Sequence, residues 1–138
     1  MTNRTLIDQC VQEVIDLHAF FQAWLRGELA DRAEVFSRFI DAVAPEFTLI
    51  SPTGQAARLP ETAEWIRRAH GARPGVKLWT DEHTAHFAAD GAALLTYREW
   101  QTWNGATTLR ISSALLRRAP AAPNGVAWLH IHETWIQG

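Results

Sequence analysis

Residues 93–118 read ALLTYREWQTWNGATTLRISSALLRR. Residues alternate between apolar and polar on both sides of Asn104-Gly105, which is the period of a strand. Asn-Gly between two such runs is the strongest short signal for a hairpin closed by a two-residue type I′ turn. With that turn Trp103 opposes Ala106, Trp100 opposes Leu109, Glu99 opposes Arg110 and Arg98 opposes Ile111. One face then carries Tyr97, Glu99, Gln101, Thr108, Arg110 and Ser112; the other carries Arg98, Trp100, Leu109, Ile111, Ser113 and Leu115. The second set is more apolar and is expected to face the core. A type I turn with a bulge would shift the pairing by one, set Arg98 beside Arg110, and make Glu99 and Arg110 the alternative pocket residues. The first register is preferred, because Glu99 opposite Arg110 attracts and two arginines side by side repel.

Working outward, period two also holds in VKLWTDEHTAHF (76–87) and VAWLHIHETWI (126–136). ADG and APAAPNG separate these runs from the hairpin, and both are turn chemistry. Upstream the period is helical. Ile7, Val11, Val14, His18, Phe21 and Leu25 form one stripe, stopped at Gly27. Asp31 and Glu34 have capping-box spacing before a second helix with Val35, Phe36, Phe39, Ile40 and Val43, which Pro45 ends. EFTLIS (46–51) reads as a strand. LPETAEWIRRAHG (59–71) reads as a third helix, with Pro60 in its first turn and Arg67 and Arg68 in its last. Helices followed by an antiparallel meander mean an α+β fold, with element order α-α-β-α-β-β-β-β, expected to be a single domain over 1–138.

The chain has 138 residues, 47% hydrophobic and 20% charged, with net charge −2. That size suits one core. The mixed charge gives no electrostatic case for nucleic acid or an anionic membrane. No apolar run approaches the roughly 20 residues that cross a bilayer. Cys10 is the sole cysteine, and MTNRTLIDQC lacks a signal-peptide pattern, so a reducing cytoplasm is the expected location.

Two helices, a strand ending FTLISPTG, a third helix and a meander ending WLHIHET together resemble the nuclear transport factor 2-like superfamily. The resemblance covers nearly the whole chain. It is nearest to a small stand-alone bacterial subgroup of unknown function, similar to polyketide-cyclase-like proteins and to the association domain of calmodulin-dependent kinase. Thr134 stands where that pattern ends in serine. The resemblance implies a cystatin-like cone with a curved sheet, a deep interior pocket and a homodimer. Superfamily enzymes pair an aspartate with a tyrosine or a histidine. The single tyrosine, Tyr97, falls on the outer face in the preferred register.

On the last strand Leu129, Ile131, Glu133 and Trp135 share one face; Trp128, His130, His132 and Thr134 share the other. With Leu129 and Ile131 inward, Glu133 enters the cone and the expected partner is Arg98. The expected pocket is therefore Trp65, Arg98, Trp100, Ser113, Glu133 and Trp135, with Glu133 as candidate base. Tyr97, Trp128, His130 and His132 form the expected dimer surface. Two histidines in H-x-H share a face but lack a third ligand at a zinc spacing, so no metal or cofactor is expected. Asp81, Glu82, His83 and His86 read as a solvated sheet edge. Three functions stay open: a small-molecule-binding module with an Arg/Glu anchor, a general acid/base enzyme of isomerase, cyclase or dehydratase type, and a dimerisation module without a ligand.

Overall fold

A computed structural model describes residues 5–136. The elements in chain order are α1 (Leu6–Arg26), α2 (Ala33–Ile40), β1 (Val43–Ile50), β2 (Ala56–Arg58), α3 (Leu59–Arg68), β3 (Lys77–Ala89), β4 (Ala92–Trp103), β5 (Ala106–Arg118) and β6 (Val126–Trp135). This is the expected α+β order with one addition, the three-residue β2. Its pairing with β1 follows from the turn after Ile50 rather than from any apolar alternation.

Both ends of α1 follow from its sequence. Thr5 Oγ1 accepts the Asp8 amide at 3.0 Å, and Gly27 closes the helix at φ 74°. That left-handed conformation favours glycine, and here a Cβ would also sit 3.2 Å from the Gly71 Cα. The second helix departs from its expected start. Its N-cap is Arg32, with no side-chain cap, so the Asp31–Glu34 capping box does not form. It ends at Ile40, and Pro45 lies inside β1, so β1 begins earlier than expected.

The sheet order is β2-β1-β6-β5-β4-β3. β1 and β6 run parallel and every other neighbouring pair is antiparallel. Asn104 and Gly105 have φ 52° and 76°, the positive values a type I′ turn requires. Trp103 pairs with Ala106, Glu99 with Arg110 and Arg98 with Ile111, which is the preferred register.

The face assignment is inverted. Tyr97, Glu99, Gln101 and Ser112 are buried against the helices, while Ile111 is exposed and Arg98, Trp100, Leu109 and Ser113 are only partly covered. The reason lies farther from the turn. Ala93, Leu95, Ala114 and Leu116 share the parity of Glu99 and Ser112, and all four are fully buried. Near the turn the inner face is polar because it meets the cavity rather than the packed core.

β6 holds a second correction. Leu115 pairs with His130 and Leu116 with Trp128, so Leu129 is an extra residue. This bulge reverses the alternation below it. Trp128 therefore joins Ile131 and Glu133 inside, at 2% exposure. Strict alternation from Ile131 sends Trp128 outward. Trp128 and Tyr97 thus leave the expected dimer surface; His130 and His132 remain on the outer side.

The core joins Cys10, Val14, Leu17 and Trp24 of α1 to Phe36 and Phe39 of α2 and to Phe47, Leu95, Leu116, Val126 and Trp128 of the sheet. Fully burying such side chains stabilises by about 1.5–3 kcal/mol each before conformational entropy is counted. Glu13 is also fully buried. It accepts two bonds from Arg38, one from Asn124 Nδ2 at 3.0 Å and one from Trp128 Nε1 at 3.0 Å. A single carboxylate thus ties α1 to α2, to the β5–β6 loop and to β6.

Candidate functional site

Between α1, α3 and the concave sheet lies a partly open cavity of about 390 Å³. Phe21, Trp24, Phe39, Phe47, Trp65 and Trp128 supply aromatic wall. Its polar groups come mainly from the inner faces of β4, β5 and β6. The registers explain why they meet. Glu99, Arg110 and Trp135 form one row across three strands; Tyr97, Ser112 and Glu133 form the next. His18 approaches both rows from α1.

His18 Nδ1–H donates to the Val14 carbonyl at 2.7 Å, and Nε2–H donates to Glu99 Oε1 at 3.0 Å. Both partners are acceptors, so the two bonds are made together when the ring carries both protons. Burial opposes that charge, but the Glu99 carboxylate outweighs it and raises the His18 pKa. Burial likewise opposes Glu99 ionisation. The hydrogen bond and charge of His18, with Arg110 and Gln101 behind them, lower Glu99 to about 2. Gln101 Nε2 donates to Glu99 Oε2 at 2.8 Å, and Gln101 Oε1 accepts Arg73 Nη1 at 2.9 Å.

Arg110 Nη1 donates to Glu133 Oε2 at 3.0 Å, and Arg110 Nε lies 3.6 Å from Glu99 Oε2. The guanidinium sits 4.6 Å from the Trp135 ring centroid, a cation–π contact that fixes its plane. Glu133 differs from Glu99. Burial raises its pKa, Arg110 offsets this only in part, and Glu99 adds repulsion. The two carboxylates have therefore been pushed apart, a pattern that separates a permanent charge from a proton-exchanging group.

Of the expected pocket, Trp65 and Glu133 line the cavity. Trp135 lies in the row of Arg110 and stacks on it rather than lining the cavity. Arg98, Trp100 and Ser113 are on the opposite face. Arg98 makes two bonds to Asp81, at 2.9 and 3.1 Å. Trp100 stacks on Trp79 with ring centroids 6.1 Å apart and donates to Asp81 Oδ1. Ser113 pairs with His132. Glu133 thus has Arg110 rather than Arg98 as partner, and the alternative pair, Glu99 and Arg110, is the one in the cavity. His18 and Gln101 are additions. His18 lay on the apolar stripe of the first helix, which was the available signal; nothing local marked its sheet partner. His130 bonds Thr48 Oγ1 at 2.7 Å. Among the described residues no three His, Cys, Asp or Glu side chains cluster as metal ligands, and no helix is long and apolar enough to cross a membrane.

A curved mixed sheet closed by three helices around such a cavity is the cystatin-like cone of the nuclear transport factor 2-like proteins. An NTF-2 like protein of unknown function from Pseudomonas aeruginosa superposes with a TM-score of 0.85 at 25% identity, over 94% of this chain and 99% of that one. A CaMKII hub from S. rosetta reaches 0.70 at 12% identity, over 98% and 100%, a likeness of fold alone. Within this class the chain belongs to the family described as Sucrose-6-phosphate phosphohydrolase C-terminal, matched over residues 10–137. Sucrose-phosphatase 1 of Nicotiana tabacum is 26% identical over 129 residues, covering 91% of this chain. The chain spans 30% of the length of that relative.

Proposed function

We propose that the chain is a small-molecule-binding domain whose ligand enters past Trp65 and docks against Arg110 and Glu133. The observation that carries this is an aromatic-walled cavity with an ion-paired floor. Such a mixture of apolar wall and a few convergent polar groups is typical of ligand sites. The name of the Nicotiana tabacum relative describes a longer chain, so sucrose and its phosphate are compounds to test here. Native mass spectrometry of the protein as purified tests the reading. A retained small molecule, lost in Trp65→Ala and Glu133→Gln, is the expected result; an empty protein that gains nothing from a metabolite mixture contradicts it.

One observation favours a second reading, general acid/base catalysis: the raised pKa of Glu133 beside the Arg110 guanidinium. Glu133 would take a proton from carbon and Arg110 would hold the resulting oxyanion. Deuterium exchange into small ketones should then be faster with the wild type than with Glu133→Gln. Equal rates leave binding alone.

The outer sheet face is proposed as the contact between two copies of the chain. Trp79 and Phe87 of β3 and Ile111 of β5 are exposed on the same face as His130 and His132 of β6, and exposed apolar side chains on an uncovered sheet face favour association. A reducing cytoplasm remains the proposed location, in keeping with the lone, buried Cys10.

A further inference from the structure

The bonds already made inside the cone narrow the class of ligand. Both His18 ring nitrogens are engaged. Both Glu99 oxygens are engaged, by His18 and Gln101, and Gln101 is held in turn by Arg73. What remains on the floor is Glu133 Oε1, which has no hydrogen-bond partner among the described residues, and the Arg110 N–H groups that Glu133 does not take. An acceptor and a donor therefore stand side by side, linked by the 3.0 Å bond between Arg110 Nη1 and Glu133 Oε2. A hydroxyl is the simplest group that donates to one and accepts from the other.

Charge points the same way. The floor holds His18, Arg110, Glu99 and Glu133 within an apolar wall, and the third cation of the lining, Arg73, is bonded to Gln101 and lies over the Trp103 ring. An anionic ligand would gain Arg110 but lie against Glu133. A cationic ligand would gain Glu133 but lie against Arg110. Each would also lose its hydration, a cost an uncharged group largely escapes. In the row of Glu133, Tyr97 and Ser112 are buried and do not line the cavity, so Glu133 is the group of that row left for a ligand.

We propose that the cone's ligand is an uncharged, hydroxyl-bearing molecule with an apolar face. Its hydroxyl donates to Glu133 and accepts from Arg110, and its apolar face lies on Phe21, Trp65 and Trp128. The assignment rests on the cone being a binding pocket. A sugar ring and a hydrocarbon alcohol share this chemistry, and matched probes separate them.

Calorimetric titration of the whole chain at pH 7 against two series tests it. One series is sucrose, sucrose 6-phosphate, glucose, glucuronate and glucosamine. The other is cyclohexylmethanol, cyclohexanecarboxylate, cyclohexylmethylammonium and methylcyclohexane. In the series that binds, the neutral hydroxyl compound should bind at least about tenfold tighter than its charged counterparts, about 1.4 kcal/mol. In Glu133→Gln the handicap of the anions should shrink. A charged member that binds tightest overturns the ligand class and leaves the pocket standing, as does a hydrocarbon that equals its alcohol. Failure of every compound to bind folded wild-type protein overturns the class and the binding reading together.

Discussion

His18 and Glu99 make one another's charges tolerable, and the sign of each shift fixes how stability follows pH. His18 has its pKa raised above 6.5. Its contribution is fully present below about 6.5 and is lost as pH climbs through the folded value. Glu99 is lowered from 4.5 to about 2. Its contribution is present above about 4.5 and is lost as pH falls towards 2. Glu133 has the opposite sign, since its pKa is raised from 4.5, so ionising it above that pH costs stability. Urea unfolding across pH should therefore show stability rising between about pH 2 and 4.5 and declining at higher pH. His18→Gln and Glu133→Gln should each flatten the decline; a decline unchanged in both would show that these groups do not cause it. Glu13 offers a test at constant pH. Replacing it with alanine strands the Arg38 charge and the Trp128 indole N–H, and should cost about 3–5 kcal/mol in denaturant unfolding, as for other broken buried pairs.

β6 is the element on which the site depends most. Its bulge at Leu129 places Trp128 in the cavity wall while keeping Ile131 and Glu133 inside. Deleting Leu129 should remove the bulge and leave Trp128, Ile131 and Glu133 on one face, because alternation then runs unbroken from Trp128 to Glu133. The expected outcome is a cooperative thermal transition close to that of wild type, followed by the near-ultraviolet circular dichroism of the tryptophans. Loss of that transition would mean that the bulge itself is needed, beyond its setting of the faces of Trp128 and Glu133. At the end of α1, Gly27→Ala combines a positive φ with a Cβ 3.2 Å from backbone. It should lower stability by about 1 kcal/mol or more, measured by the same melts.

At the scale of the molecule, the helices cover one side of the sheet and leave the other to solvent. Trp79 is 42% exposed, Phe87 64% and Ile111 39% on that uncovered side, and such exposed apolar groups make a partner the first expectation. Light scattering should therefore report a dimer at micromolar concentration. Ile111→Glu should convert it to a folded monomer without changing the cavity. A wild-type monomer, or a variant that stays dimeric, would move the contact elsewhere.

Element order, the hairpin register and the inward Glu133 were legible in the sequence because they depend on local chemistry. Asn104-Gly105 sets a turn, Gly27 stops a helix, and period two marks a strand whatever surrounds it. Which face of β4 and β5 meets the helices is not local. The more apolar half near the turn, with Trp100 and Ile111, lies outside because Ala93, Leu95, Ala114 and Leu116 at the other end commit the whole strand pair to the opposite face. The bulge at Leu129 is likewise invisible in an apolar run, since an extra residue breaks no pattern until its neighbour strand is known. The pairing of His18 with Glu99 joins residues 81 positions apart. Only the packing of α1 across the sheet decides it, and with it the protonation of the candidate site.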